Sequence, residues 1–109
     1  MQMTVEDISQ GTVIVVLTGA LDAAGAAAVE ERLAGLADTA TRLVVDLSGV
    51  GFMASIGMRS LLATAKALQP RAGRLVLLAP QPMVAEALRT AGISTLIPTV
   101  ATRQEALAG

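Results

Sequence analysis

Cysteine and histidine are both missing, and Phe52 is the one aromatic among 109 residues. Without thiols or imidazoles there can be no disulfide, no ordinary zinc site, no thiol nucleophile and no histidine acid–base chemistry. Without Trp or Tyr there is no platform on which bases or sugars could stack, which disfavours single-strand binding. An excess of one charge is missing too. Eight basic and nine acidic residues give a net charge of -1 and form no run of like sign, so neither a nucleic-acid stripe nor a polybasic membrane anchor is expected. Met1-Gln2-Met3-Thr4-Val5-Glu6 has no basic n-region and no apolar h-region, and no apolar run approaches a bilayer span. The expected location is the cytoplasm, with no membrane insertion.

What the chain has is an aliphatic core. Apolar residues make up 53% of the sequence, nearly all of them Leu, Val, Ile, Ala and Met, which suit close packing of helices on a sheet. The length allows one domain, residues 1–109, with one core. Weak alternation over residues 3–8, the turn Ser9-Gln10-Gly11 and the apolar run 12–17 predict an opening hairpin. Gly19-Ala20-Leu21-Asp22 is expected to end the second strand. Ala26, Val29, Leu33 and Leu36 then recur at helical spacing, with Glu30, Glu31 and Arg32 pointing elsewhere.

Residues 43–47 read as a third strand and Ser48-Gly49-Val50-Gly51 as a loop. A helix over Ser55–Leu68 follows, with Met58, Leu61, Leu62, Ala65 and Leu68 on one stripe and Pro70 and Gly73 as its stop. Residues 74–79 predict a fourth strand. Pro82 opens a helix near its N1 position, with Val84, Ala87, Leu88 and Ala91 facing inward and Gly92 as a C-terminal cap. Leu96-Ile97-Pro98 reads as a short last strand, and Thr102 and Glu105 have capping-box spacing before a short final helix. The expected fold class is α/β: a mixed sheet of about five strands, opened by an antiparallel hairpin, with right-handed crossovers and about four helices against it.

Candidate chemistry is sparse. Gly49 and Gly51 between a strand and a helix lack the third glycine of a dinucleotide fingerprint and the Gly-Lys-Ser/Thr of a phosphate loop, so a tight turn accounts for them. Ser55 and Lys66 cannot act as a dyad, because eleven residues of one straight helix separate them by about 16 Å. Asp22 and Asp46 end strands, have no metal-binding neighbours, and read as turn caps. Arg59 and Lys66 lie off the apolar stripe on a solvated face. Ser55 is the most switch-like residue. It stands at a helix N-terminus, where free N–H groups and the helix dipole accept either a capping side chain or an added phosphate. Both accounts fit it. No catalytic residue, metal ligand or cofactor is expected.

The segments Thr18-Gly19-Ala20-Leu21-Asp22, Val44-Val45-Asp46-Leu47-Ser48-Gly49-Val50 and Phe52-Met53-Ala54-Ser55-Ile56-Gly57 occur in the order seen in STAS domains. Over essentially the whole chain, from Val5 to Leu107, the sequence resembles a stand-alone anti-sigma factor antagonist. The resemblance implies a protein that is not an enzyme. It would bind an anti-sigma factor serine kinase and release the sigma factor, phosphate on the matching Ser55 would switch that binding off, and a PP2C-type phosphatase would reverse it. It further implies a partner-binding surface at Asp22, Met53, Ala54, Ile56, Gly57 and Met58. The family's usual Asp-Ser-Ser/Thr-Gly is here Ala54-Ser55-Ile56-Gly57. Two other STAS roles compete: a structural subunit of a lipid-transport ATP-binding-cassette complex, clamped to the transporter ATPase, and a nucleotide sensor resting on Gly49 and Gly51.

Overall fold

A computed structural model describes residues 1–108. The chain runs β1 (Gln2–Ser9), β2 (Thr12–Leu21), α1 (Ala23–Ala37), β3 (Arg42–Met53), α2 (Ser55–Leu68), β4 (Arg74–Leu78), α3 (Pro82–Thr90), α4 (Ile93–Leu96), β5 (Thr99–Val100) and α5 (Arg103–Leu107), with a 3-10 turn Gln69–Arg71 after α2. The five strands form one sheet in sequence order. Strands β1 and β2 are antiparallel, and β2, β3, β4 and β5 are parallel.

That order decides where the helices go. When each parallel strand is added on the same side of its predecessor, crossovers of one hand place every connecting helix on one face. The main core accordingly joins Val15, Leu17, Leu43, Val45, Leu47, Leu75 and Leu77 of the sheet to Val29 and Leu33 of α1, Leu61 and Leu68 of α2, Val84 and Leu88 of α3 and Ile93 of α4. The alternate strand residues Ile14, Val44, Val76 and Leu78 face the other way, where Ala106 and Leu107 of α5 pack against them together with Val16, Ala79 and Val100. Val44 and Leu61 therefore lie on opposite sides of the sheet, although Val45 and Leu61 do share a core.

The predicted capping box is present: the Glu105 N–H donates to Thr102 Oγ1 at 3.2 Å and the Thr102 N–H to Glu105 Oε1 at 3.1 Å. Arg103 reaches from α5 to Glu6 of β1 at 2.6 Å and ties the last helix to the first strand. The hydrogen bond that Arg103 donates to Glu6, and then the charge of Glu6, raise the pKa of the guanidinium above its ordinary value. Gly92, at φ 79, follows the end of α3 in the left-handed conformation expected of a terminating glycine.

Three expectations need correction. Both β2 and β3 run on past the predicted breaks, to Leu21 and Met53. The ladder shifts register between Val16 and Thr18, around Leu47 and Ser48, and between Gly19 and Ala20, where Gly51 is left unpaired; Gly19 and Gly49 themselves stay paired, so the bulges bend the ladder without ending it. The last strand is Thr99–Val100, because Leu96 closes the extra helical turn α4 and Pro98, which has no N–H to give, can only accept from the Leu77 N–H at 2.9 Å. Ala91 is the exposed C-terminal cap of α3 and has no inward face. α2 ends at Leu68 as expected, and the left-handed residue of the turn that follows is Ala72, at φ 59.

One long-range device carried no sequence signal. Arg71 donates to the carbonyls of Ala37 and Ala40, the latter at 2.8 Å, and so places a cation on the exposed carbonyl end of α1.

Candidate functional site: the exposed first turn of helix α2

β4 pairs with β3 only over Arg42 to Asp46, so the last seven residues of β3 are paired with β2 alone. This two-stranded, bulged extension carries the starts of α1 and α2 beyond the rest of the sheet. The link between them is the end of β2: the Ala54 N–H donates to the Leu21 carbonyl at 3.0 Å. Asp22, the next residue, is the N-cap of α1 and accepts the Gly25 N–H at 2.9 Å. Asp46 accepts the Ser48 N–H at 2.9 Å but does so inside β3, at the bulge after Val16, so Asp22 is a cap as read from sequence whereas Asp46 does not end its strand. Replacing Asp22 by Ala should cost about 1 kcal/mol of stability, measurable by chemical denaturation, while Asn should retain most of it.

Two glycines make this close approach workable. A Cβ on Gly25 would lie 2.1 Å from the Ala20 carbonyl oxygen, and one on Gly57 would lie 2.4 Å from that of Leu21. Each helix thus presses its first turn onto the last backbone carbonyls of β2. The signal was visible, since a glycine in the first turn of a helix is a poor choice unless another backbone must come near.

Ala54, extended at φ -91 and ψ 167, is the N-cap of α2, and an alanine has no side chain with which to cap. Ser55 is therefore the first helical residue and not the cap. Its side chain is exposed, and its hydroxyl makes no hydrogen bond among the described residues. The N–H groups of Ser55 and Ile56 also lack a partner there, while those of Gly57 and Met58 both reach the Ala54 carbonyl, at 3.0 and 3.2 Å. The neighbouring hydroxyl differs: Ser60 is half-buried and donates to the Ile56 carbonyl at 3.2 Å.

The other residues expected on the partner surface separate into two groups. Ile56 is 42% exposed, and Asp22, Ala54 and Met58 are half-buried, Met58 resting against the main core. Met53, at 7% exposure, and Gly57 are buried, so what they give the surface is its shape and not a contact. Sequence reasoning missed two exposed apolar side chains nearby. Phe52, 54% exposed, and Met83, 78% exposed, flank a cleft that also includes Gly51, Met53, Val84 and Ala87. A second groove, of about 350 Å³, runs between α1 and α2 with an alanine floor, Ile56 at one end, and Glu30 and Arg59 on opposite helices. Among the described residues no cluster of acidic side chains could hold a metal, and no helix is long and apolar enough to cross a membrane.

A bulged strand pair that presents an uncapped helix start, on a sheet whose helices lie mainly on one face, defines a small α/β module built around an exposed turn. The chain belongs to the STAS domain family, whose model matches residues 4–106. A relative from Bordetella bronchiseptica, BtrV, whose name designates an anti-sigma factor antagonist, is 34% identical over 109 residues, covering 99% of this chain and 93% of BtrV. The crystal structure of an anti-sigma factor antagonist from Mycobacterium paratuberculosis superposes with a TM-score of 0.86 at 31% identity, covering 97% of this chain and 90% of that one. The anti-sigma factor antagonist SpoIIAA in its unphosphorylated form gives a TM-score of 0.84 at 25% identity, covering 97% and 93%. The Bacillus cell fate determinant SpoIIAA in its phosphorylated form gives 0.76 at 24% identity, covering 97% and 96%.

Proposed function

We propose that this protein is an anti-sigma factor antagonist: it binds an anti-sigma factor serine kinase through the surface around Ser55 and frees the sigma factor, and phosphate on Ser55 ends the binding. The observation that carries this reading is the Ser55 hydroxyl itself, exposed and unbonded on the first turn of α2 beside two unpartnered N–H groups. The capping position belongs to Ala54. The relatives support the partner class, since BtrV and the M. paratuberculosis protein are both named as antagonists of anti-sigma factors.

The kinase would transfer the terminal phosphoryl of ATP to Ser55 Oγ, with loss of the hydroxyl proton and release of ADP; a PP2C-type phosphatase would remove it by hydrolysis. The modification adds roughly -1.5 to -2 charges. Placed between Phe52 and Ile56, on a surface that must lie flush against a partner, that charge opposes desolvation and breaks the contact. The fold is left intact, because the helix start tolerates an anion. Asp22, Ala54, Ile56 and Met58 border the contact, and Met53 and Gly57 set its shape from beneath.

Phosphosite mapping of the protein from its native cells should find phosphate on Ser55. Phosphate confined to another residue, such as exposed Ser48 or half-buried Ser60, would overturn the assignment.

A further inference from the structure

We infer that Arg59 is the intramolecular counter-ion of a phosphate on Ser55. This rests on the reading of Ser55 as the phosphorylated residue and assigns the group that receives the phosphate. Arg59 lies four residues after Ser55 on α2, a spacing that puts the two side chains on one face about 6 Å apart along the axis. Its side chain is exposed, and it has neither an ion pair nor a hydrogen bond among the described residues.

The other cations are committed or distant. Arg71 holds the end of α1, Arg89 pairs with Glu86, Arg103 pairs with Glu6, and exposed Arg32 lies in the second half of α1, ten residues after Asp22 and about 15 Å along the axis from the start of that helix. Arg42 and Arg74 begin β3 and β4, at the opposite end of the sheet from Ser55. Lys66 is eleven residues along the helix, about 16 Å away. Two carboxylates face the same region. Glu30 lies across the groove from Arg59 on α1 without pairing to it, and Asp22, at the start of α1, is held by the Gly25 N–H. A dianion at Ser55 outcompetes a distant single carboxylate for a guanidinium fork that can bind it through two N–H groups.

The unmodified protein thus presents Arg59 at the rim of the α1–α2 groove. Phosphorylation draws the guanidinium one turn toward the helix start. The switch then changes two features of the surface together, adding an anion at Ser55 and withdrawing a cation from the groove beside Ile56.

The test uses the full chain with phosphoserine encoded at position 55, so that no kinase is needed, and follows the phosphorus-31 resonance across pH at low salt. The second phosphate ionisation should fall about half a pH unit lower with Arg59 present than in the Arg59→Gln form. Arg59→Lys should recover part of the difference, and molar salt should erase it. Superimposable titrations of the Arg59 and Arg59→Gln forms would overturn the inference. Because the phosphate is placed by translation, that outcome is independent of where native cells put it. Mapping to another serine would remove the reading of Ser55 and leave the measured pairing as it is.

Discussion

Leu61→Ala should lower the free energy of unfolding by about 2–5 kcal/mol, a large share of the stability of a domain this size. Leu61 is fully buried in the core that joins α2 to Val45, Leu47 and Leu77 of the sheet. Truncation removes its transfer energy and leaves a cavity in a rigid setting, since the neighbours on three elements cannot all move in. Urea denaturation checks it. A near-neutral change would mean that α2 faces the sheet with another stripe.

Gly57→Ala should have the second large effect, and its sign is set by a conflict between two terms. Ala is the better helix former by about 1 kcal/mol. Its Cβ would stand 2.4 Å from the Leu21 carbonyl oxygen and 2.8 Å from Leu21 Cγ, and backbone at that distance cannot yield cheaply. Overpacking of this kind costs about 1–3 kcal/mol and should win. The same carbonyl takes the Ala54 N–H at 3.0 Å, so relief of the clash moves the residue before Ser55 and partner binding should fall with stability. Gly35→Ala is the matching control. It sits exposed near the end of α1 with nothing within 4 Å of the added methyl, and should be neutral to stabilising by up to about 1 kcal/mol. A denaturation series in which Gly57→Ala is as harmless as Gly35→Ala would show that the first turn of α2 does not depend on close approach to β2.

These two substitutions also mark what the sequence made legible. Period and punctuation located α1, α2 and α3 of the main face and the first four strands, because alternating and helical repeats of Leu, Val and Ile report burial directly, whereas the single turn α4 is too short to show a repeat. The residues of the exposed turn were legible too, since a strand followed by a short apolar segment and an amphipathic helix leaves few places for Ser55. Glycine was misread. Gly19, Gly49 and Gly51 resemble strand breakers in a linear reading, yet the first two pair between β2 and β3, Gly51 is absorbed as a bulge, and both strands carry through to Leu21 and Met53. Gly57 carries the opposite lesson. Its place in a first turn signals a close backbone approach, but the approaching carbonyl lies 36 positions earlier in the chain and no local pattern identifies it. Burial of Met53 beneath the surface it was expected to form has the same origin, since exposure at a strand end depends on which elements are packed above it.

Ser55 joins the fold to the proposed activity, and the most direct test compares the wild-type protein with Ser55→Asp in an affinity capture from native lysate, with mass spectrometry of what is retained. The exposed serine makes no internal bond, so Ser55→Asp should melt within a degree or two of wild type while losing its partner. The expected result is recovery of a serine-kinase ATPase by the wild-type protein alone. Equal recovery of partners by both forms, or capture of transporter subunits by both, would contradict the account and make this domain a structural clamp.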